Sequence, residues 1–197
     1  ALVALGGARS AAAALRYLFV AVTGSLFFLL AVALTYGHTG TVDLARAAER
    51  ADDTVIVGAI IALTVVGMAA KTALFPLHSW LPVAHPAAPT AVSALLSALV
   101  IKASIVILWR VIEYLGPHTD IAAPLATVVG IAGAAAVLWG GILALRRDRL
   151  KSIIAYSTVA QVGYMVLLIP LVFAASDPQV AWVGGSLITV AHGVAKA

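Results

Sequence analysis

The stretch from Met68 to Trp109 reads MAAKTALFPLHSWLPVAHPAAPTAVSALLSALVIKASIVILW, and it decides how the chain folds. Two lysines, Lys71 and Lys102, lie there in strongly apolar surroundings, and the residues between them are rich in proline and histidine. Burying an ammonium group costs free energy unless the charge is paired or used. The stretch therefore predicts a membrane-spanning region with an interruption in it. It also predicts that the two buried lysines have a functional role.

The composition indicates a bilayer as the solvent. The 197 residues are 63% hydrophobic and 10% charged, with a mean hydropathy of +1.09, whereas a soluble domain is usually about 25% charged. The net charge of +4 comes without a basic stripe and interleaved aromatics, so a nucleic-acid partner is not expected. The chain has no cysteine, and its histidines are scattered, so neither a metal site nor a cofactor is expected.

Apolar segments of spanning length follow one another along the chain. We expect an all-α, polytopic transmembrane helix bundle that forms a single domain over residues 1–197. The predicted spans are 12–36, 54–81, 89–114, 121–145, 153–174 and 180–197. Because both ends are apolar, we expect the chain to be a fragment of a longer membrane protein.

Loop charge predicts an orientation. One side carries the basic run Arg146, Arg147, Arg149 and Lys151, and the other carries Asp43, Glu49, Asp52, Asp53, Asp120 and Asp177. By the positive-inside rule the basic side is cytoplasmic in a multi-pass protein of the cell inner (plasma) membrane. The basic run is either only this topology anchor or also a surface for lipid or a partner.

Lys102 is the sharpest candidate for a proton-transfer residue. It lies near the middle of the span 89–114, too far from either end for its ammonium to reach the interface. A lysine at that depth costs roughly 2.5–3.5 kcal/mol, and deprotonating it at pH 7 costs roughly 4.6 kcal/mol. Because these costs are comparable, Lys102 is expected to gain and lose a proton. The alternative is a permanent pairing with a carboxylate or with carbonyl oxygens.

Lys71 lies five residues before Pro76. Proline breaks or kinks a helix, and broken backbone at membrane depth is tolerated inside protein or beside a water-filled cavity. A helix broken near Pro76 beside a buried charge is the usual construction of a transporter ion site. The alternative is that Lys71 extends to the headgroup region.

Further polar residues fall at helical spacing. His192 and Lys196 are four residues apart, which suits a short proton relay or a pair just under the headgroups. Ser157, Gln161 and Tyr164 form a stripe with Thr158 beside it, which either holds a line of waters or joins helices by hydrogen bonds. His78 and His85 are either proton-uptake groups or interfacial residues, as nearby Trp80 favours.

Three motifs carry a family resemblance. They are KTALFPLHSWLPVAHPAAPTAVSALLSALVIK, RRDRLKSIIAYSTVAQVGYMVLLI and LITVAHGVAKA. They resemble the signature regions of the antiporter-like proton-translocating membrane subunits. That family includes the pump subunits of respiratory complex I, the Mrp-type sodium/proton antiporter subunits A and D, and membrane subunits of related hydrogenases.

The resemblance implies inverted five-helix repeats in a protein of about fourteen helices, with this chain covering the end of the fifth through most of the eleventh. Lys71 then matches the lysine of the broken seventh helix, and Lys102 the central lysine of the eighth. His192 and Lys196 match the pair of the eleventh, and Gln161 stands where the family often has His or Gln. The family's glutamate on the fifth helix and its lysine or glutamate on the twelfth would lie outside residues 1–197.

The expected function is proton translocation through these lysine and histidine stations, in a subunit of a monovalent cation/proton antiporter. One alternative is a pumping membrane subunit of an NADH:quinone oxidoreductase or membrane hydrogenase complex. An alternative of another class is a structural subunit that does not transport. The chain carries no flavin, quinone or iron–sulfur motif, so any redox chemistry would belong to partner subunits. Its expected partners are other membrane subunits, the lipid bilayer, protons and, for an antiporter, sodium.

Overall fold

A computed structural model describes residues 8–196, and within that range the chain is helical throughout, without β-strands. This confirms the predicted all-α polytopic bundle. The helices are α1 (Ala8–Thr39), α2 (Leu44–Glu49), α3 (Thr54–Thr72), α4 (Leu81–Ala87), α5 (Thr90–Leu95), α6 (Ile101–Leu115), α7 (Ala122–Leu145), α8 (Leu150–Leu167), α9 (Leu171–Ala174) and α10 (Pro178–Lys196).

Within residues 8–196, five helical stretches are long and apolar enough to cross a membrane. They are Ser10–Thr39, Thr54–Ala87, Thr90–His118, Ala122–Leu145 and Leu150–Ala174. The sixth predicted span, 180–197, falls on α10, whose 19 residues are helical but are not among these five; Ala197 lies outside the described residues. The short helix α2 was not predicted, and it begins where the Asp43 side chain accepts a hydrogen bond from the Arg46 N–H.

The predicted span 54–81 consists of two helices with a non-helical joint between them. Helix α3 ends at Thr72, and Ala73 takes a left-handed conformation with φ 56°. The Leu74 N–H then donates to the Ala69 carbonyl at 3.0 Å, which closes the helix end in the way usually served by glycine. A 3₁₀ turn, Leu77–Trp80, follows Pro76 and leads directly into α4.

The predicted span 89–114 is one long helix with an irregularity inside it. Helices α5 and α6 are joined by a π-helical turn, Leu96–Val100, so that the backbone stays helical from Thr90 to Leu115. Single π turns inside α-helices are rare and often lie at functional sites. Lys102 follows this turn directly.

Small residues let the helices approach each other closely. A Cβ added to Gly163 of α8 would lie 2.5 Å from the Gly133 carbonyl oxygen of α7. A Cβ on Gly24 of α1 would lie 2.8 Å from the Gly67 carbonyl oxygen of α3. Packing through small residues is the usual way to bring transmembrane helices together, because lipid is as apolar as the side chains themselves.

Candidate functional site

Lys102 lies inside the bundle, with only 7% of its surface exposed. Its Nζ donates a hydrogen bond to the Ser97 carbonyl oxygen, five residues earlier and inside the π turn. That carbonyl belongs to the segment whose regular α-helical hydrogen bonding is interrupted. The π turn therefore supplies a backbone acceptor to an ammonium group that lies away from lipid.

Ser97 connects Lys102 to the neighbouring helix α8. Its Oγ lies 3.1 Å from the Thr158 Oγ1, and both side chains are buried. Thr158 in turn donates to the Ile154 carbonyl oxygen at 2.8 Å. Two hydroxyl groups that can each donate and accept thus cross the interface between the π turn and α8.

Lys196 of α10 reaches the same part of α8. Its Nζ donates to the Ser157 Oγ at 2.7 Å and lies 3.4 Å from the Ile154 carbonyl oxygen. Ser157 also donates to that carbonyl, at 2.9 Å. Hydrogen bonds therefore run from Lys102 to the Ser97 carbonyl, and from the Ser97 hydroxyl through Thr158 to the Ile154 carbonyl, which Lys196 also approaches; we call this series the lysine–lysine line. The two carbonyl oxygens only accept hydrogen bonds, so the series is not a continuous chain of donors and acceptors.

His192 lies one turn before Lys196 on α10 and is 6% exposed. Neither of its ring nitrogens has a hydrogen-bond partner among the described residues. His192 is thus a buried proton acceptor one turn from Lys196, at one end of the lysine–lysine line.

His85 is a second buried histidine, near the α4–α5 junction. It is 3% exposed, and its Nδ1 lies 2.7 Å from the Ser93 Oγ. Its Nε2 is buried with no partner in residues 8–196. Lys151 donates to the Ala88 carbonyl oxygen at 2.8 Å, which ties the start of α8 to this junction.

Lys71 is half-buried, at the last turn of α3. It lines a cavity of about 380 Å³ between α1, α3 and α6. Ser104, one turn beyond the π turn and close to Lys102 in sequence, lines the same cavity. Trp80, after the helix break, lines it too and holds the end of α3 through a hydrogen bond from its Nε1 to the Ala70 carbonyl oxygen at 2.9 Å.

The other residues predicted from the sequence lie less centrally. His78 is half-buried and stacks on Phe75 with ring centroids 5.3 Å apart. Gln161 is half-buried and takes no part in the hydrogen bonds of the lysine–lysine line, and Tyr164 is 45% exposed. Pro76 is exposed, in the joint between α3 and α4. The structure therefore brings together Lys102, Ser157, Thr158, His192 and Lys196.

Sequence reasoning missed Ser97, which joins Lys102 to Thr158. A serine in an apolar helix is common, and its place five residues before Lys102 matters only because of the π turn. In the described part of the chain, no three side chains of His, Cys, Asp or Glu come together as metal ligands would. The chemistry that this site offers is the binding and transfer of protons between lysine, histidine and hydroxyl groups.

Fold and site together define a polytopic integral membrane protein with buried, hydrogen-bonded cationic side chains. Comparison with known proteins makes the class specific. The chain belongs to the family described as NADH:quinone oxidoreductase/Mrp antiporter, transmembrane, which it matches over residues 2–196.

Individual relatives come from several kinds of complex. The chain is 39% identical over 171 residues to NADH-quinone oxidoreductase subunit N of Desulforudis audaxviator, covering 85% of this chain and 34% of that protein. It is 33% identical over 175 residues to hydrogenase-4 component B of Escherichia coli, covering 87% of this chain and 26% of that protein. The chain thus spans about a third or less of the length of these relatives.

Two solved structures share the fold. One is a chain of the membrane-bound sulfane sulfur reductase, an archaeal respiratory membrane complex, with a TM-score of 0.86 and 32% identity over 96% of this chain and 38% of that one. The other is a chain of the Mrp complex from Dietzia sp. DQ12-45-1b, with a TM-score of 0.86 and 34% identity over 99% of this chain and 21% of that one.

Proposed function

We propose that this chain translocates protons across the cell inner (plasma) membrane, within a subunit of a monovalent cation/proton antiporter. The observation that carries the proposal is the lysine–lysine line, which joins two lysines on different helices through hydroxyl and carbonyl oxygens. The lysines and His192 act as proton stations, the hydroxyl groups of Ser97 and Thr158 lie between them, and water completes the path past the Ser97 and Ile154 carbonyls, which carry no proton to pass on.

Repulsion between ammonium groups makes such a series move protons. Two ammonium charges about 7 Å apart repel by roughly 2.4 kcal/mol at an effective dielectric constant near 20. The same repulsion acts between Lys102 and Lys196 when both are charged, with a size set by their separation. Protonation of one station therefore favours release from the next, and the titrations of the two are coupled.

Lys71 is the proposed station nearest the helix break. The cavity that it lines extends from the end of α3 to Ser104 of α6, two residues after Lys102, whose own side chain is not part of the lining. An acidic group that approaches or leaves Lys71 would change its affinity for a proton, since an opposite charge within a few ångströms favours the ammonium form. We expect that acid on a part of the protein outside this chain.

The relatives support both an antiporter and a redox-driven pump. Similarity to a chain of the Mrp complex favours cation/proton exchange. Similarity to NADH-quinone oxidoreductase subunit N and hydrogenase-4 component B supports the second candidate, a pumping subunit beside redox subunits. In both cases the partners are other membrane subunits of one complex. A non-transporting structural subunit is the remaining alternative.

The test is transport by the intact complex, reconstituted in vesicles, with Lys102→Ala or Lys71→Ala. We expect at least a hundredfold loss of proton movement, comparable with removing a general acid or base from an enzyme. Arg149→Ala is the matched control, because it removes an exposed cation of the α7–α8 loop and should leave transport unchanged. Full transport by an assembled Lys102→Ala complex would contradict the station role and support the structural subunit.

The driving force separates the two transport candidates. In wild-type vesicles, a sodium or potassium gradient should move protons if the complex is an antiporter. If protons move only when an electron donor and a quinone are supplied, the chain belongs to a redox-driven pump instead.

A further inference from the structure

We infer that the cavity between α6 and α10 is a water-filled vestibule through which hydronium or a small monovalent cation reaches His192, with Glu113 binding the cation near its outer end. This inference deepens the proposed function and rests on it for the role of His192. The site is separate from the lysine–lysine line, which lies toward the π turn and the start of α8.

The cavity has a volume of about 510 Å³ and lies at the acidic end of the bundle. Its lining comes from α6 between Ile105 and Glu113, including Trp109, and from α10 between Gln179 and Val190. The loops at this end carry Asp120 and Asp177, on the opposite side from the basic α7–α8 loop. A volume of this size holds on the order of ten water molecules.

Two buried polar atoms beside the cavity lack a partner. Trp109 lines the cavity and is 3% exposed, and its Nε1 has no hydrogen-bond partner in the described part of the chain. The Glu113 side chain, on the same wall, is 37% exposed, but its Oε2 atom is covered and accepts no hydrogen bond from residues 8–196. A buried polar group without a partner costs about 1–3 kcal/mol, so water or a cation in the cavity is the natural partner.

Glu113 carries the charge suited to a cation. Its Oε2 lies 3.7 Å from an Arg110 guanidinium nitrogen, which is beyond hydrogen-bonding distance. Arg110 instead donates to the Tyr114 hydroxyl at 3.2 Å and stacks over the Tyr114 ring. The carboxylate therefore keeps free lone pairs for water-borne cations, while the arginine limits its net attraction.

The inner end of the cavity points to His192. Ser186 and Thr189 of α10 both line it. His192 follows Thr189 by three residues, so the two side chains lie on the same face of the helix. The Thr189 hydroxyl donates its hydrogen bond to the Gly185 carbonyl oxygen at 2.7 Å. Its lone pairs therefore stay available to a donor such as water. The cavity and the partnerless ring nitrogens of His192 are thus one turn apart.

Cysteine accessibility tests the vestibule without depending on transport. In the full subunit within its complex, freed of other cysteines, we would place a single cysteine by Ser186→Cys or by Leu187→Cys. Ser186 and Leu187 are both exposed and point about 100° apart around α10, but only Ser186 lines the cavity. A charged methanethiosulfonate reagent reacts only with a hydrated thiolate. We expect Ser186→Cys to react at least tenfold faster than Leu187→Cys, and only from the acidic side.

Neutralising Glu113 tests its role as the cation-binding group. Glu113→Gln should slow proton transport about tenfold, and Asp120→Asn, an exposed carboxylate of the same side outside the cavity lining, should not. If raising sodium at constant pH inhibits the wild type but not Glu113→Gln, the bound cation is sodium. If the transport rate changes with pH but not with the sodium concentration, the bound cation is hydronium.

The two proposals fail differently. A Ser186→Cys thiol that is unreactive from both sides, or reacts no faster than Leu187→Cys, would overturn the vestibule whatever the transport data show. Equal transport by Glu113→Gln and wild type would overturn the role of Glu113. Reactive Ser186→Cys together with full transport by Lys102→Ala would instead keep the vestibule and refute the lysine stations.

Discussion

At the scale of single residues, the feature to explain is a lysine held by a carbonyl rather than by an acid. The hydrogen bond from Lys102 to the Ser97 carbonyl oxygen stabilises the ammonium form through a dipole, without neutralising its charge. An ion pair with a carboxylate would hold the proton far more firmly. A carbonyl partner therefore suits the proposed role of Lys102 as a group that releases its proton and takes it back.

The hydroxyl bridge between Ser97 and Thr158 leads to a residue-scale prediction. Thr158→Val keeps the side-chain shape but removes the oxygen that lies 3.1 Å from the Ser97 Oγ. Losing a buried hydrogen bond of about 1 kcal/mol should slow proton transport five- to tenfold, with assembly unchanged. Proton uptake by reconstituted vesicles is the measurement.

Thr64→Val is the control for that substitution. Thr64 is equally buried, but its Oγ1 bonds only the Ile60 carbonyl oxygen of its own helix, at 2.8 Å. Its replacement should leave transport at the wild-type rate. If Thr158→Val and Thr64→Val transport protons at the same rate, the bridge only holds the helices together and is not part of the proton path.

At the scale of helices, close backbone contact explains how α8 is held where the lysine–lysine line needs it. A Cβ on Gly140 of α7 would lie 2.7 Å from the Ala160 amide nitrogen and 2.9 Å from the Tyr156 carbonyl oxygen. Backbone atoms cannot move aside as the end of a flexible side chain can. The α7–α8 contact therefore fixes α8, which carries Ser157 and Thr158.

Adjacent glycines in α7 provide a matched pair for this packing. Gly140→Ala should destabilise the subunit by about 1–3 kcal/mol, the usual cost of overpacking. Gly141→Ala meets no atom within 4 Å, and it should be neutral or slightly stabilising, because alanine favours the helix. The melting temperatures of the purified complexes provide the comparison. Equal melting temperatures would show that α7 and α8 are not in this close contact.

At the scale of the whole molecule, the site lies where helices from distant parts of the sequence meet. The lysine–lysine line needs the π turn, α8 and α10, while the vestibule needs only α6 and α10. These two features lie toward opposite ends of α10, with His192 between them. The proposed path from one side of the membrane to the other would therefore require the assembled bundle.

The loop charges predict which end faces the cytoplasm. Asp148→Cys, in the exposed α7–α8 loop, should be labelled from the cytoplasmic side, because Arg146, Arg147 and Arg149 surround it. Asp177→Cys, in the exposed stretch before α10, should be labelled from the other side. Labelling in right-side-out and inverted vesicles makes the measurement. Labelling of both cysteines from one side would contradict the alternating arrangement of the spans.

The sequence by itself determined the all-helical membrane fold, because residues this apolar can only be solvated by lipid or by each other. It also singled out Lys102, His192 and Lys196 as candidates, because a charged or imidazole side chain in such an apolar segment is costly unless it has a function; their role in proton transfer stays a prediction. The left-handed conformation of Ala73, which ends α3, has no local signal in the sequence.

Only the tertiary structure decided which polar residues work together. Ser97 and Thr158 are 61 residues apart, and Ser157 and Lys196 are 39 apart, so no local pattern relates them. The π turn that turns the Ser97 carbonyl toward Lys102 has no sequence signature, and the cavity beside Trp109 and Glu113 exists only between two helices. Periodicity gives the face of a helix, whereas hydrogen bonds between helices depend on how the helices pack.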